Sequence, residues 1–133
     1  MVTALGHPAY VVDDLDAALA FYEGVLGLRH AFDVCDEAGE RTGVFLHVGG
    51  RGFLEIFRGA LQPPAAGQSY AHLCLEVDDV AAMVAAIRKQ GVEITEAMVG
   101  KDRGWHAYLS DPCGNRLELW GYTPESRQAP FME

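Results

Sequence analysis

The first half of the chain alternates between strand-like and helix-like spacings of apolar residues. Residues 5–12 are apolar and end in β-branched positions, which predicts a strand, and Asp13 and Asp14 follow as helix caps. From Leu15 the apolar residues recur at steps of three and four until Gly27, so we predict an amphipathic helix of about three turns. Strands are then predicted over 28–35, 42–48 and 52–58.

The second half repeats the same order of elements. The pattern predicts a strand over 70–77, a helix over 78–90, and strands over 92–99, 105–110 and 115–121. Residues 59–68 follow neither period and are interpreted as a linker, and residues 123–133 as a tail that wraps the surface or frays. We therefore expect an α+β protein whose strand–helix–three-strand modules span residues 5–58 and 69–122.

Four residues of the types that bind metals recur at matched places in these two halves. His7 precedes Glu55 by 48 residues, and His72 precedes Glu118 by 46 residues. The text around the histidines also repeats, because each is followed at the same distance by an Asp-Asp pair and an apolar residue. This register indicates a duplicated structural unit.

Strand alternation places both glutamates on the sheet face that points away from the helices. Glu55 lies between Phe53 and Phe57 in this pattern, and Glu118 lies between Arg116 and Trp120. A carboxylate among such neighbours is costly to bury unless it is paired, protonated or bound to a metal.

Two imidazoles and two carboxylates make a donor set that suits Zn, Ni, Co, Mn or Fe(II). Such a set leaves coordination positions open for water or substrate, which favours catalysis over a purely structural site. A single histidine near a strand start, or a single glutamate on a strand, is usually an ordinary hydrogen-bonded or solvated residue. The duplication of both residues in matched register favours the metal interpretation.

Further polar residues are candidates for the lining of the same face. If Leu109 packs on a helix, alternation turns His106 and Tyr108 toward the substrate, where they could polarise an oxygen or only furnish a polar lining. Arg103 belongs to a loop over residues 101–104 that is either a mobile cover or a solvated turn.

Composition excludes several classes of partner. The chain has 133 residues and a net charge of −9, which argues against a nucleic-acid surface. No apolar run reaches the length of a membrane-spanning helix, so we expect a cytoplasmic protein with a small-molecule substrate and no membrane partner. The three cysteines are widely spaced and are expected to be free thiols.

Several of these motifs together resemble the vicinal oxygen chelate superfamily, which includes glyoxalases, bleomycin-resistance proteins and extradiol dioxygenases. The resemblance covers about residues 5–122 and rests on the segments 7–15, 21–28, 71–72 and 111–119. It implies a single domain over residues 1–133, in which two βαβββ modules form a half-open barrel around the metal, often as a homodimer.

The complete set of two histidines and two glutamates is most similar to the glyoxalase I (lactoylglutathione lyase) branch. That resemblance implies a divalent-metal-dependent lyase or isomerase that forms an enediolate from a small α-hydroxycarbonyl substrate. Glu118 would move the proton, and Glu55 could share this duty. The implied metal ligands are His7, Glu55, His72 and Glu118, and the implied substrate-binding residues are Phe53, Phe57, Arg103, His106, Tyr108 and Trp120.

Two alternatives remain within the same family. An Fe(II) extradiol dioxygenase would need only His7, His72 and Glu118, and a metal-free antibiotic-binding protein would use the aromatic lining. The arginine that glyoxalase I typically has four residues past its first ligand is Val11 here, and the usual aspartate of the last turn is Cys113. The sequence therefore leaves the substrate open.

Overall fold

The computed structural model describes residues 1–61 and 68–132 and divides into two compact units, Met1–Ala66 and Gly67–Glu133. Each unit contains a four-stranded mixed sheet, and in each the order of elements is strand, helix, then three strands. The predicted α+β class of two βαβββ modules is thus confirmed. Most of the predicted linker, residues 62–67, lies outside the described residues.

The first unit has the sheet order β1-β4-β3-β2, in which β1 and β4 are parallel and the other neighbours antiparallel. Its elements are β1 (Ala9–Val12), α1 (Leu15–Leu19), a π-helical segment (Ala20–Val25), β2 (Arg29–Cys35), β3 (Arg41–Gly49) and β4 (Gly52–Arg58).

The second unit has the equivalent order β5-β8-β7-β6, in which β5 and β8 are parallel. Its elements are β5 (Leu73–Glu76), α2 (Val80–Lys89), β6 (Met98–Val99), β7 (Trp105–Ser110), β8 (Arg116–Gly121) and a 3₁₀ turn (Ala129–Phe131). None of the described helices is long and apolar enough to span a membrane.

The core of each unit is built by strand alternation. In β4, Leu54 and Ile56 are completely buried, whereas Glu55 between them is half-buried on the opposite face. In β8, Leu117 and Leu119 take the equivalent buried positions. The sheet face opposite the glutamates is therefore the apolar one, as the pattern predicted.

The predicted three-turn helix of the first unit is wrong in its second half. The chain is α-helical over Leu15–Leu19 and then widens into a π-helical segment, in which the Leu26 N–H donates to the Phe21 carbonyl at 3.0 Å. Phe21 and Tyr22 are both buried there although they are adjacent in sequence. Apolar residues spaced three and four apart do not distinguish a regular α-helix from a helix that contains a π-helical turn.

Three predicted strands are shorter than expected. Residues 5–8 and 70–72 are irregular, so His7 and His72 precede β1 and β5 instead of lying within them. Of the strand predicted over 92–99, Met98–Val99 is the part that pairs as a strand in the sheet. Here the Thr95 N–H donates to the Tyr108 carbonyl at 3.0 Å, but the Tyr108 N–H donates to the Thr95 hydroxyl at 2.9 Å, so a side chain takes the place of one backbone acceptor.

The two α-helices begin with the same cap, which gives a test of the local fold. Asp14 accepts from the Ala17 N–H and Asp79 from the Ala82 N–H, each at 2.9 Å. We expect Asp79→Ala to lower the free energy of unfolding by about 1 kcal/mol, because an N–H of the first turn loses its partner. Asp79→Asn keeps the acceptor and should be nearly neutral in the same urea titration. Equal losses in both variants would contradict the capping role.

Candidate functional site

Each unit pairs a histidine that precedes its first strand with a glutamate on its last strand. In the first unit, His7 Nε2 lies 3.2 Å from Glu55 Oε2. In the second unit, His72 Nε2 lies 2.6 Å from Glu118 Oε2. The structure therefore brings together the two members of each sequence-predicted pair within their own unit.

The two pairs occupy equivalent positions in the strand register. Ala9 of β1 is the partner of Glu55 in β4, and Cys74 of β5 is the partner of Glu118 in β8. In both units the histidine stands two residues before that partner. The repeat seen in the sequence is thus a repeat of geometry.

The pair in the first unit is surrounded by aromatic rings. Phe45 of β3 is the register partner of Glu55, and its ring meets the His7 imidazole edge-on at 5.1 Å between centroids. Phe32 stacks on Phe45 at 4.7 Å, and Phe53 lies 6.4 Å from Phe45. Of the residues predicted to bind substrate here, Phe53 belongs to this cluster.

Phe57, the other predicted aromatic residue of the first unit, is 38% exposed. It lies on the same strand face as Glu55, at the β4 position paired with Val11. The two residues paired with Phe57, Val11 in β1 and Gly43 in β3, are both apolar.

The pair in the second unit sits in a polar network. Glu118 is only 5% exposed, and its second carboxylate oxygen, Oε1, contacts His106 Nδ1. The Tyr108 hydroxyl donates to the same oxygen at 3.4 Å, and the Arg116 guanidinium covers the Tyr108 ring at 4.6 Å from its centroid. Both carboxylate oxygens of Glu118 are therefore engaged.

A cleft of about 470 Å³ opens on this network. It contains five of the residues that the sequence placed in the site, namely His72, His106, Tyr108, Glu118 and Trp120. Its lining is completed by Cys74, Asp102, Tyr122 and Gln128. The loop before β7 contributes Asp102 to the described lining and not the predicted Arg103, which has a positive φ of 65° in the adjacent turn.

Asp102 is the principal residue that sequence reasoning missed. Its carboxylate accepts hydrogen bonds from four groups at 2.7–3.1 Å. The donors are the Gly104 N–H, His106 Nε2, Trp120 Nε1 and Gln128 Nε2. The only local signal was an acid four residues before a histidine, which a solvated turn would explain equally well.

These contacts change the proton affinities in the cleft. Burial opposes the charge on Asp102, but hydrogen bonds from His106, Gln128 and Gly104 outweigh it and hold the Asp102 pKa well below its usual range. Burial alone would lower the pKa of His106, but the carboxylates of Asp102 and Glu118 raise it instead. Asp102 is therefore a stable anion, and His106 favours its charged form between two carboxylates.

Two other groups in the cleft keep their protons. Desolvation and the Glu118 carboxylate raise the pKa of Cys74 to about 12. The same two causes raise the pKa of Tyr108. The Cys74 thiol and the Tyr108 hydroxyl are therefore neutral donors near neutral pH.

The chemistry of the donors fits a divalent transition metal. Each unit supplies one imidazole nitrogen and one carboxylate oxygen, which are common ligands of Zn, Ni, Co, Mn and Fe. Within residues 1–61 and 68–132, no three His, Cys, Asp or Glu side chains form a cluster that could hold an ion as they stand. Metal binding by these residues therefore remains a proposal.

The chain is similar to proteins of a known family. A family model described as the Glyoxalase/Bleomycin resistance protein/Dioxygenase superfamily matches residues 4–119. Lactoylglutathione lyase of Haemophilus influenzae is 29% identical over 120 residues, which cover 85% of this chain and 88% of the relative.

Solved structures share the fold. The lactoylglutathione lyase of Agrobacterium tumefaciens matches with a TM-score of 0.69 at 25% identity, over 90% of this chain and 94% of that one. TnmS3, an antibiotic binding protein from Streptomyces sp. CB03234, matches with a TM-score of 0.75 at 24% identity, over 92% and 98% of the two chains. Because the family model spans most of the sequence, the chain belongs to the glyoxalase, bleomycin resistance protein and dioxygenase superfamily.

Proposed function

We propose that this protein is a divalent-metal-dependent lyase or isomerase of the glyoxalase type, with His7, Glu55, His72 and Glu118 as its metal ligands. The observation that carries the proposal is the equivalent register of the two histidine–glutamate pairs. The matched pairs give each unit one imidazole nitrogen and one carboxylate oxygen at the same two positions, and these are the atoms that a divalent metal binds. The similarity to lactoylglutathione lyase supports the same reaction class.

The chemistry then divides between the ion and the protein. A bound divalent ion would act as a Lewis acid toward the oxygens of an α-hydroxycarbonyl substrate and so favour an enediolate. Glu118 would accept the proton from one carbon and return it to the next, with its carboxylate held in place by contacts to two imidazoles and a hydroxyl. Glu55 could perform the matching transfer on the other side.

The substrate contacts follow from the linings of the two units. Phe53 and Phe57 would hold an apolar part of the substrate, and Trp120 would close the cleft beside Glu118. Tyr108 and His106, which line the cleft, would supply the polar contacts. Position 11 offers valine in place of an anion-binding arginine, so the proposal favours a small oxygenated substrate over a glutathione adduct.

We further propose that the protein works in the cytoplasm as a homodimer, as is common in this family. Sedimentation equilibrium at micromolar concentration measures the assembly directly. A strictly monomeric mass would remove the dimer from the proposal without affecting the ligand assignment.

Metal binding gives the first test of this function. Nickel or zinc at about 100 times its dissociation constant should stabilise the fold by about 2.7 kcal/mol, a rise in melting temperature of roughly 8 °C. His7→Ala and His72→Ala should each abolish most of this rise, because each removes a nitrogen ligand.

His47→Ala serves as the matched control, since His47 lies in the first unit but bonds to Arg29 and the Gly50 carbonyl. It should keep the full response to metal. Absence of bound metal after mild purification, together with an unchanged melting temperature on adding nickel or zinc, would sink the proposal.

Glu118 and Glu55 can be separated by their kinetics. With methylglyoxal and a panel of thiols, Glu118→Gln should lower kcat by about 10²- to 10⁴-fold, because Gln keeps an oxygen ligand but cannot take a proton. Glu55→Gln should lower kcat less. Metal content is measured for each variant, so that loss of the ion is not mistaken for loss of the base.

The aromatic cluster supports a second function, which is binding of a small molecule without turnover. Phe32 is 52% exposed and stacks on Phe45 beside the His7–Glu55 pair, and such a ring is suited to stacking on a planar ligand. Tight binding of an aromatic antibiotic, with no turnover and no stabilisation by added metal, would establish this function instead. Oxygen uptake with catechols and Fe(II) would favour the dioxygenase.

A further inference from the structure

The network around Asp102 joins three separate segments of the second unit. Asp102 lies in the loop between β6 and β7, Trp120 lies on β8, and Gln128 lies in the chain that follows β8. One oxygen, Oδ2, accepts from Trp120 Nε1 at 3.0 Å and from Gln128 Nε2 at 2.8 Å. The other, Oδ1, accepts from His106 Nε2 at 2.7 Å and from the Gly104 N–H at 3.1 Å.

The imidazole of His106 connects this carboxylate to Glu118. Its Nε2 meets Asp102, and its Nδ1 meets Glu118 Oε1. Glu118 in turn contacts His72 through Oε2. A continuous chain of four side chains therefore runs from the loop to the proposed ligand His72.

Glycines at both ends of the loop hold the rings of this network closely. A Cβ at Gly100 would collide with the His106 imidazole, and a Cβ at Gly104 would collide with the Trp120 indole. The Gly100 N–H donates to the Gly104 carbonyl at 2.9 Å and closes the turn. The backbone itself thus forms a wall behind His106, so the ring has little freedom to move away from Glu118.

The chain after β8 is fastened to the same loop. The Arg127 N–H donates to the Asp102 carbonyl at 2.9 Å, and the Thr123 hydroxyl donates to the Arg103 carbonyl at 2.6 Å. Gln128 Oε1 is buried and has no hydrogen-bond partner among the described residues. The hydrogen bond from Gln128 Nε2 to Asp102 therefore determines the orientation of this amide, because Oε1 makes no hydrogen bond there that would favour it.

We propose that Asp102 and Gln128 are positioning residues for Glu118 that act through His106, so that the segment after β8 is part of the site. The inference rests on the proposed function in that Glu118 is taken as a metal ligand and base. Outer residues that hold a ligand in place typically change metal affinity about 10- to 100-fold when they are removed. A network that only fastened the end of the chain would change stability without changing Glu118.

The test compares Asp102→Asn, Gln128→Ala and Gly100→Ala in the full chain. Asp102→Asn replaces an acceptor of four hydrogen bonds by a group that is half donor, and Gly100→Ala displaces His106 without removing a polar group. We expect imidazole ¹H–¹⁵N spectra of the metal-free protein to show changed His106 and His72 signals in all three variants. His30, which bonds to Glu23 and Asp33, is the internal reference.

Nickel titration calorimetry supplies the second readout. Asp102→Asn and Gly100→Ala should weaken nickel binding about 10- to 100-fold, and Gln128→Ala should weaken it less. Asp36→Asn is the control for the loss of a loop carboxylate, because within the described residues Asp36 accepts backbone N–H groups of its own turn. Glu125→Ala is the control for the segment after β8. Both should match the wild type.

The outcomes separate this inference from the proposed function. If the wild type binds no nickel, the function fails, and the spectra of the metal-free variants still decide whether Asp102 positions His106. If the wild type binds nickel while the folded variants keep its affinity and its His72 and His106 signals, the positioning role is overturned. Should Asp102→Asn fail to fold, Gly100→Ala and Gln128→Ala carry the test.

Discussion

The contacts of the second unit's site depend on the burial of one carboxylate, that of Glu118. Glu118 is 5% exposed on a strand whose neighbours Leu117 and Leu119 form the core of the sheet. An ionised carboxylate in such a place is costly unless charged or hydrogen-bonding groups compensate it. His72, His106 and Tyr108 supply this compensation in the protein as described. A divalent cation would supply it more strongly, which links the stability of this strand to the proposed chemistry.

The two units share a framework but surround their glutamates differently. The side chain of Glu55 is 26% exposed and is bordered by phenylalanine rings, whereas that of Glu118 is 7% exposed and is surrounded by polar groups. The two glutamates occupy the same position in the strand register but have different neighbours, so we expect them to have different roles. It is why we assign the main proton transfer to Glu118 and an apolar contact surface to the first unit.

The loop and the final segment extend the site beyond the duplicated framework. The loop carrying Asp102 and the segment carrying Gln128 meet at a carboxylate that orients His106. The first unit has no equivalent of this arrangement among the described residues. Features outside the repeat are the places where the two halves could diverge, because they can change without disturbing the strand register that both pairs require.

The sequence alone determined the order of elements, the βαβββ repeat and the members of each histidine–glutamate pair. These follow from local rules, since alternation fixes which residues share a face and the repeat fixes which positions are equivalent. The sequence-based prediction was wrong where local patterns are ambiguous. One place is the widened turn after Leu19, and the other is the irregular chain before β6, where the Thr95 hydroxyl replaces one backbone acceptor.

Only the tertiary structure decided which groups touch the buried carboxylate. The partners of Asp102 include residues up to 26 positions away, and no period or motif connects them. Their contacts depend on the closing of a loop and on the path of the chain after β8. The pairing of His7 with Glu55 could be predicted, because the same spacing recurs in the second half of the sequence. The contacts of Asp102 could not be predicted, because they are hydrogen bonds between segments that share no sequence pattern.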